Sequence, residues 1–205
     1  MLIDVSLEIT DGMVFRPGSP PVKIRTEEFF HEDEDGKYNT VTVSMPLHMG
    51  THIDMVDKNN RIEPARFIGR GILFDVSSIV DREIVLEDLD HSITVEKGDF
   101  VFFKTGWDRY INSERYKIHP EISREILEWL VEKEINMVGI DALGLGRGRK
   151  HGDCDRYLSG NKIYVIENLV NLDRVRGKIF KVYCFPLKIS ETDAIPARVI
   201  VDTDH

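Results

Sequence analysis

The sequence predicts a strand-rich α/β fold. Short apolar runs of β type recur along the chain, convincing helical periodicity occurs once, and glycine- and proline-rich turns separate the segments. With 205 residues the chain is long enough for one domain with a substantial core, taken as residues 1–205.

The first strand is expected over Leu2–Leu7, closed by Asp11-Gly12-Met13. The loop Phe15–Val22 carries three prolines, which a central strand does not tolerate. Ile24–Phe30 reads as a second strand, followed by the acidic turn His31–Lys37. Residues 38–48 alternate, with Val41, Val43, Met45 and Leu47 on one face and Thr42, Ser44 and His48 on the other. That pattern predicts a half-buried strand leading into Leu47–Lys58. Further strands are expected at Gly71–Val76, Phe100–Lys104, Met137–Ile140, Tyr164–Glu167 and Lys181–Ile189. In Ser123–Lys133, Ile126, Leu127, Leu130 and Val131 make one stripe, and Ser123 can cap the helix. Short helices fit Pro64–Arg66 and Val170–Val175; regular βαβ alternation is not evident.

Charge and composition exclude several functions. A formal net charge of −9 disfavours nonspecific nucleic-acid binding. The basic cluster Arg147, Arg149 and Lys150 lies in a glycine-rich stretch that reads as a solvated loop or an anionic-substrate contact. No apolar run approaches the ~20 residues of a membrane span. The start MLIDVSLEIT has no basic leader, so a cytoplasmic protein is expected. Cys154 and Cys184 form no CxxC pair, and Cys184 reads as core. Gly144-Leu145-Gly146-Arg147-Gly148 lacks the setting of a dinucleotide loop.

The densest chemistry is Leu47-His48-Met49-Gly50-Thr51-His52-Ile53-Asp54. On a helix Asp54 would point about 240° round from His48. A straight strand would spread the three side chains over roughly 20 Å. A bend at Gly50 lets them converge. Two imidazoles and a carboxylate suit Zn²⁺, Mn²⁺ or Fe²⁺; a pair of hydrogen-bonded histidines in a turn is the other reading. Glu167 ends the apolar run Ile163–Ile166, where a carboxylate is costly unless ligated or paired. Asp141 ends Met137–Ile140 in the same way, as a supporting group or a structural acceptor.

The order of motifs resembles the cyclase/kynurenine formamidase family of metal-dependent hydrolases over nearly the whole chain. The carrying blocks are Asp4-Val5-Ser6, Arg16-Pro17-Gly18, His48-x-Gly50-Thr51-His52-x-Asp54 and Lys104-Thr105-Gly106-Trp107. Gly139-Ile140-Asp141-Ala142, Ile166-Glu167-Asn168-Leu169 with Asn171-Leu172, and Pro186-Leu187-Lys188-Ile189 before Pro196-x-Arg198 complete them. The resemblance implies a swivelling β/β/α fold, a homodimer or homotetramer, and hydrolysis of a small amide, formamide or lactam with Zn²⁺ or Mn²⁺. It implies His48, His52, Asp54 and Glu167 as ligands. The bound metal would activate water against an amide carbonyl. The arylformamidase members place the family in tryptophan catabolism.

Three positions depart from the formamidase pattern. Lys58 stands where the family has an acid/base histidine; a lysine, ordinarily protonated at neutral pH, suits donation to a leaving amine better than base work. Asp155 stands where a histidine ligand lies twelve residues before the glutamate, and His151, one helical turn upstream, is a candidate ligand or acid/base group. Arg16 replaces a tryptophan in the first loop and invites a carboxylate or phosphate on the substrate. The alternative to an amidohydrolase is a family member that binds a small ligand or regulates without turnover.

Overall fold

The computed structural model describes residues 1–15, 18–31, 36–59 and 61–204. Among the described residues there are ten strands: β1 (Leu2–Asp4), β2 (Lys23–His31), β3 (Gly36–Ser44), β4 (His52–Asp54), β5 (Ile68–Asp75), β6 (Phe100–Lys104), β7 (Met137–Ile140), β8 (Tyr164–Glu167), β9 (Ile179–Pro186) and β10 (Ala194–Asp202). The α-helices among the described residues are α1 (Arg124–Glu132) and α2 (Arg149–Gly160); Pro64–Phe67 and Leu172–Arg174 are 3₁₀ turns near the positions expected for short helices.

Eight strands make one sheet in the order β1-β10-β4-β8-β7-β6-β5-β9, and a β9–β10 pairing curls it into a barrel-like form. This is the strand-rich α/β fold the sequence predicts. One difference is that β5, β6, β7 and β8 are consecutive parallel neighbours. The β6–β7 and β7–β8 crossovers carry α1 and α2, whereas the β5–β6 crossover holds only a 3₁₀ turn and irregular chain. Helix α2 is largely polar and glycine-containing, so the sequence showed no regular βαβ alternation.

Strands buried on both faces need apolar residues throughout, and β6 and β7 comply: Phe100–Phe103, Met137, Val138 and Ile140 are all buried. Inside the barrel, Phe100, Phe102, Ile53, Ile166, Phe180 and Val182 pack together. Outside it, Val101, Phe103 and Ile140 pack against Ile126, Leu127 and Leu130 of α1 and Leu158 of α2. The Ser123 side chain accepts from Ile126 N and caps α1 as expected. Cys184 and Cys154 are both buried in these cores.

The strand expected over residues 38–48 ends at Ser44, and its apolar face is not half buried: Val41 and Val43 are 61% and 55% exposed. The alternation is real, but β2 and β3 form a two-stranded sheet of their own instead of joining the barrel. The first strand is shorter than expected, ending at Asp4. The basic stretch read as a loop is instead the approach to α2: Arg147 pairs with Glu121, and Lys150, in the first turn of α2, with Glu83. Strand β10, which closes the barrel, was not foreseen. Its Pro196 and its mixture of polar and small residues hid it, and Pro196 is tolerated in the short antiparallel stretch it shares with β4.

Candidate metal centre

The segment before β4 bends as its sequence requires. Gly50 adopts φ +62°, and a Cβ there would lie 2.7 Å from Ile9 Cγ1, so no other residue fits without displacing its neighbour. The bend brings His48 back over β4. His52 and Asp54, two apart on that strand, share a face, while Ile53 points into the core. His52 lies opposite Glu167 in the antiparallel β4–β8 register, which sets the two side chains side by side.

Helix α2 supplies the other half. His151 and Asp155, one turn apart, share the face that packs on β8. The helix is tied to the end of β4 by Ser159 Oγ, which donates to Met55 O at 2.7 Å.

The six side chains form two groups. His48, His52 and Asp54 make one; Asp54, His151, Asp155 and Glu167 make the other, and within each group the donor atoms lie within 4.8 Å of one another. Asp54 belongs to both. His52 Nε2 is 3.4 Å from Asp54 Oδ1 and 3.5 Å from Glu167 Oε2. His151 Nε2 is 3.4 Å from Asp155 Oδ2 and 3.5 Å from Glu167 Oε1. Ligands on one ion at bond lengths near 2.1 Å sit about 3.4 Å apart in a tetrahedron, so these spacings suit shared coordination.

Hydrogen bonding and charge agree. His48 Nδ1 lies 2.9 Å from Asp54 Oδ1 without the alignment of a hydrogen bond. That nitrogen, His52 Nε2 and both Asp54 oxygens are buried and make no hydrogen bond among the described residues. Unsatisfied buried polar atoms are costly, and a cation would satisfy them all. Asp54, Asp155 and Glu167 are 3%, 6% and 1% exposed, so three carboxylates meet away from water. Such a cluster needs a compensating cation. Burial pushes the Asp54 carboxyl up, but His48 and His52 together hold it below the usual carboxylate range. The Asp54 carboxylate pushes the His48 pKa up, against burial.

Supporting contacts aim His52. Its Nδ1 faces Gly50 O at 3.0 Å, which directs Nε2 toward Asp54 and Glu167. Asn168 Nδ2 donates to the same carbonyl at 3.0 Å, and the Tyr116 hydroxyl donates to Asn168 Oδ1 at 2.9 Å. Thr51 Oγ1 donates to Asn168 O at 2.6 Å and accepts from Leu7 N at 2.8 Å. Gly144 borders the helix-side group; a Cβ there would lie 2.4 Å from His151 Nδ1 and 2.6 Å from Glu167 Oε1.

The expected ligands His48, His52, Asp54, Asp155 and Glu167 are therefore together, with His151 among them. Lys58 belongs to neither group and lies exposed in the turn after β4. Arg16 lies outside the described residues; the preceding Phe15 packs against Tyr116, with ring centroids 6.0 Å apart. Asp141 is an acceptor of structural hydrogen bonds from Thr105 N, Thr105 Oγ1 and Gly106 N. The sequence did not mark out Tyr116 or Gly144; nothing in their local spacing ties either to the ligands.

The fold and the buried histidine–carboxylate cluster suit a metal-dependent hydrolase, and its relatives make it one resembling arylformamidase, acting on a small amide C–N bond. The family described as "Putative cyclase" matches residues 3–147, and the chain belongs to it. The kynurenine formamidase of Bacillus thuringiensis subsp. konkukian is 26% identical over 207 residues, covering 97% of this chain and 96% of its own length. The structure of a predicted metal-dependent hydrolase from Bacillus stearothermophilus superposes with a TM-score of 0.80 at 27% identity, covering 99% of this chain and 98% of that one. Isatin hydrolase A from Ralstonia solanacearum shares the fold, with a TM-score of 0.80 at 19% identity over 98% of this chain and 91% of its own.

Proposed function

We propose that this protein hydrolyses a small formamide or lactam carrying an anionic group, using two adjoining divalent-metal sites that share Asp54. The carrying observation is the membership of Asp54 in both donor groups. His48, His52 and Asp54 offer two imidazoles and one carboxylate, a set suited to Zn²⁺; Asp54, His151, Asp155 and Glu167 are richer in oxygen and suit Mn²⁺ as well. A divalent ion held there lowers the pKa of water and polarises an amide carbonyl.

The chain's own residues do the rest. The Tyr116–Asn168–Gly50 network holds His52 in one orientation, and α2 carries His151 as a ligand in the absence of the family histidine at position 155. Lys58 is the candidate donor to the leaving amine, and Arg16 the candidate partner of a substrate carboxylate. A substrate without that carboxylate would then show a higher KM at nearly unchanged kcat, and R16A would abolish the difference.

The exposed Val41 and Val43 support self-association through the β2–β3 hairpin, because a lone two-stranded hairpin is marginal in water. A homodimer or homotetramer is the reading, checked by light scattering on the V41E/V43E variant. We place the protein in the cytoplasm; no described helix is long and apolar enough to cross a membrane.

Metal analysis joined to a screen of formyl-aryl amides and lactams tests the activity. Turnover that needs Zn²⁺ or Mn²⁺ is expected. A chain that takes up no metal after reconstitution contradicts the proposal. Turnover of neutral and acidic amides at equal KM contradicts the anionic preference.

A further inference from the structure

The two strand-side histidines face the donor cluster through different nitrogens. His52 presents Nε2, with Nδ1 turned to the Gly50 carbonyl. His48 is reversed: its Nδ1 lies 2.9 Å from Asp54 Oδ1, and its Nε2 lies 3.4 Å from Asp193 Oδ2. An imidazole can offer a lone pair to an ion from one nitrogen only if the proton stays on the other. If Nδ1 of His48 ligates, its proton sits on Nε2, and an acceptor beside Nε2 favours that state and fixes the ring.

Asp193 is placed to do so by its backbone. Its carbonyl accepts from Met55 N at 2.8 Å and Val56 N at 3.0 Å, directly after the ligand strand. The next residue, Ala194, pairs with Asp54 in the β4–β10 register. Position 193 is thus fixed relative to Asp54 through main-chain atoms, and only its side chain reaches His48. That side chain is 53% exposed, whereas Asp54 on the other side of the ring is 3% exposed. One carboxylate stands at the solvent side of the imidazole and the other inside the cluster.

We propose that Asp193 is a positioning residue: it accepts the Nε2 proton of His48, fixes the ring, and leaves the Nδ1 lone pair aimed at the strand-side ion. The inference rests on the metal-centre reading above. A carboxylate behind a ligating histidine raises its basicity and limits its rotation, and its loss typically costs about 10- to 100-fold in metal affinity. Because the hydrogen bonds from Met55 and Val56 go to the main chain of residue 193, removing the side chain leaves them in place.

The test is competition for Zn²⁺ against a chromophoric chelator, with wild type, D193A, D193N and H48A, and H48A identifying the phase that belongs to this ion. D193A is expected to lose about 10- to 100-fold in that phase, and D193N, which keeps an acceptor oxygen, to recover most of the loss. In zinc-loaded protein labelled with ¹⁵N-histidine, the His48 ring should show a protonated, exchange-protected Nε2. D193A should lose that protection while the His52 ring signals stay unchanged. A D193A variant that binds Zn²⁺ as tightly as wild type overturns the assignment, as does a zinc-loaded wild type with the His48 proton on Nδ1. Equal losses in D193A and D193N also overturn it, since they mark an effect of charge or of the loop. A wild-type protein that binds no Zn²⁺ at all overturns the metal centre itself, a result distinct from the others.

Discussion

The strand-side and helix-side halves of the donor set are built differently. His48, His52 and Asp54 fall within seven consecutive residues and are shaped by one bend at Gly50 and one strand. His151, Asp155 and Glu167 come from a helix and a strand that meet only in the folded protein, with Gly144 spacing them. The first half is supported on several sides by hydrogen bonds running to Tyr116, buried, and to Leu7, part-buried. The second depends on how α2 lies on β8. The strand-side half should therefore be stiffer, and the helix-side half easier to disturb without loss of the fold.

Asp54 joins the halves, so D54A has the largest expected effect. It should remove both sites and lower kcat/KM by about 10³-fold or more, roughly 4 kcal/mol of transition-state stabilisation. Steady-state kinetics with metal analysis checks this; an active D54A variant would break the link between the halves.

G144A separates them. Gly144 adopts φ +136°, and a Cβ there meets both His151 and Glu167. The helix-side donors would have to move, and a misplacement of about 1 Å costs on the order of 10² in rate. Metal content should fall from two ions per chain to one, with the His48–His52–Asp54 ion retained. Loss of both ions in a folded G144A variant would show that the halves are one unit.

K58A probes a residue outside both groups. Metal content should be unchanged and kcat should fall by about tenfold, short of the roughly 10²-fold or more that a fully engaged general acid supplies. Lost metal would place Lys58 among the ligands' supports.

The last expected effect is on stability rather than on rate or metal, and concerns Asp141, which lies outside both halves. Burial pushes its pKa up to about 6, against three hydrogen bonds that favour the ionised form. The folded state then holds this proton more tightly than the unfolded chain. Stability from this group is full below about pH 4, falls as pH rises toward about 6 and is level above, by at most about 3 kcal/mol. Denaturant titrations of metal-free protein across that range should show a steeper decline for wild type than for D141N.

The same contrast explains what the sequence disclosed. The strand-side ligands were legible because spacing and a glycine confine them locally. Glu167 was visible as a carboxylate ending an apolar run, while His151 and Asp155 came to notice only through the family resemblance, since no helix was expected there. Their meeting was not visible, because it follows from the β4–β8 register and the docking of α2. Asp193 carried no local signal at all: it lies 145 positions after His48 and approaches it only because β10 returns beside β4. The apolar alternation at Val41 and Val43 misled about burial because the hairpin makes a sheet of its own. The central strands β5 to β8 were readable, since burial on both faces favours Val, Ile, Phe and Met there, whereas β10, with its proline and polar residues, was not.

The central claim is that six side chains, joined by Asp54, hold divalent metal for amide hydrolysis. The most direct measurement is a Zn²⁺ titration of metal-free wild type and D54A by calorimetry, with metal content determined on the same samples. Two ions per wild-type chain and none on D54A is the predicted result. Wild-type protein that retains no metal, or D54A that binds as wild type does, would contradict the account.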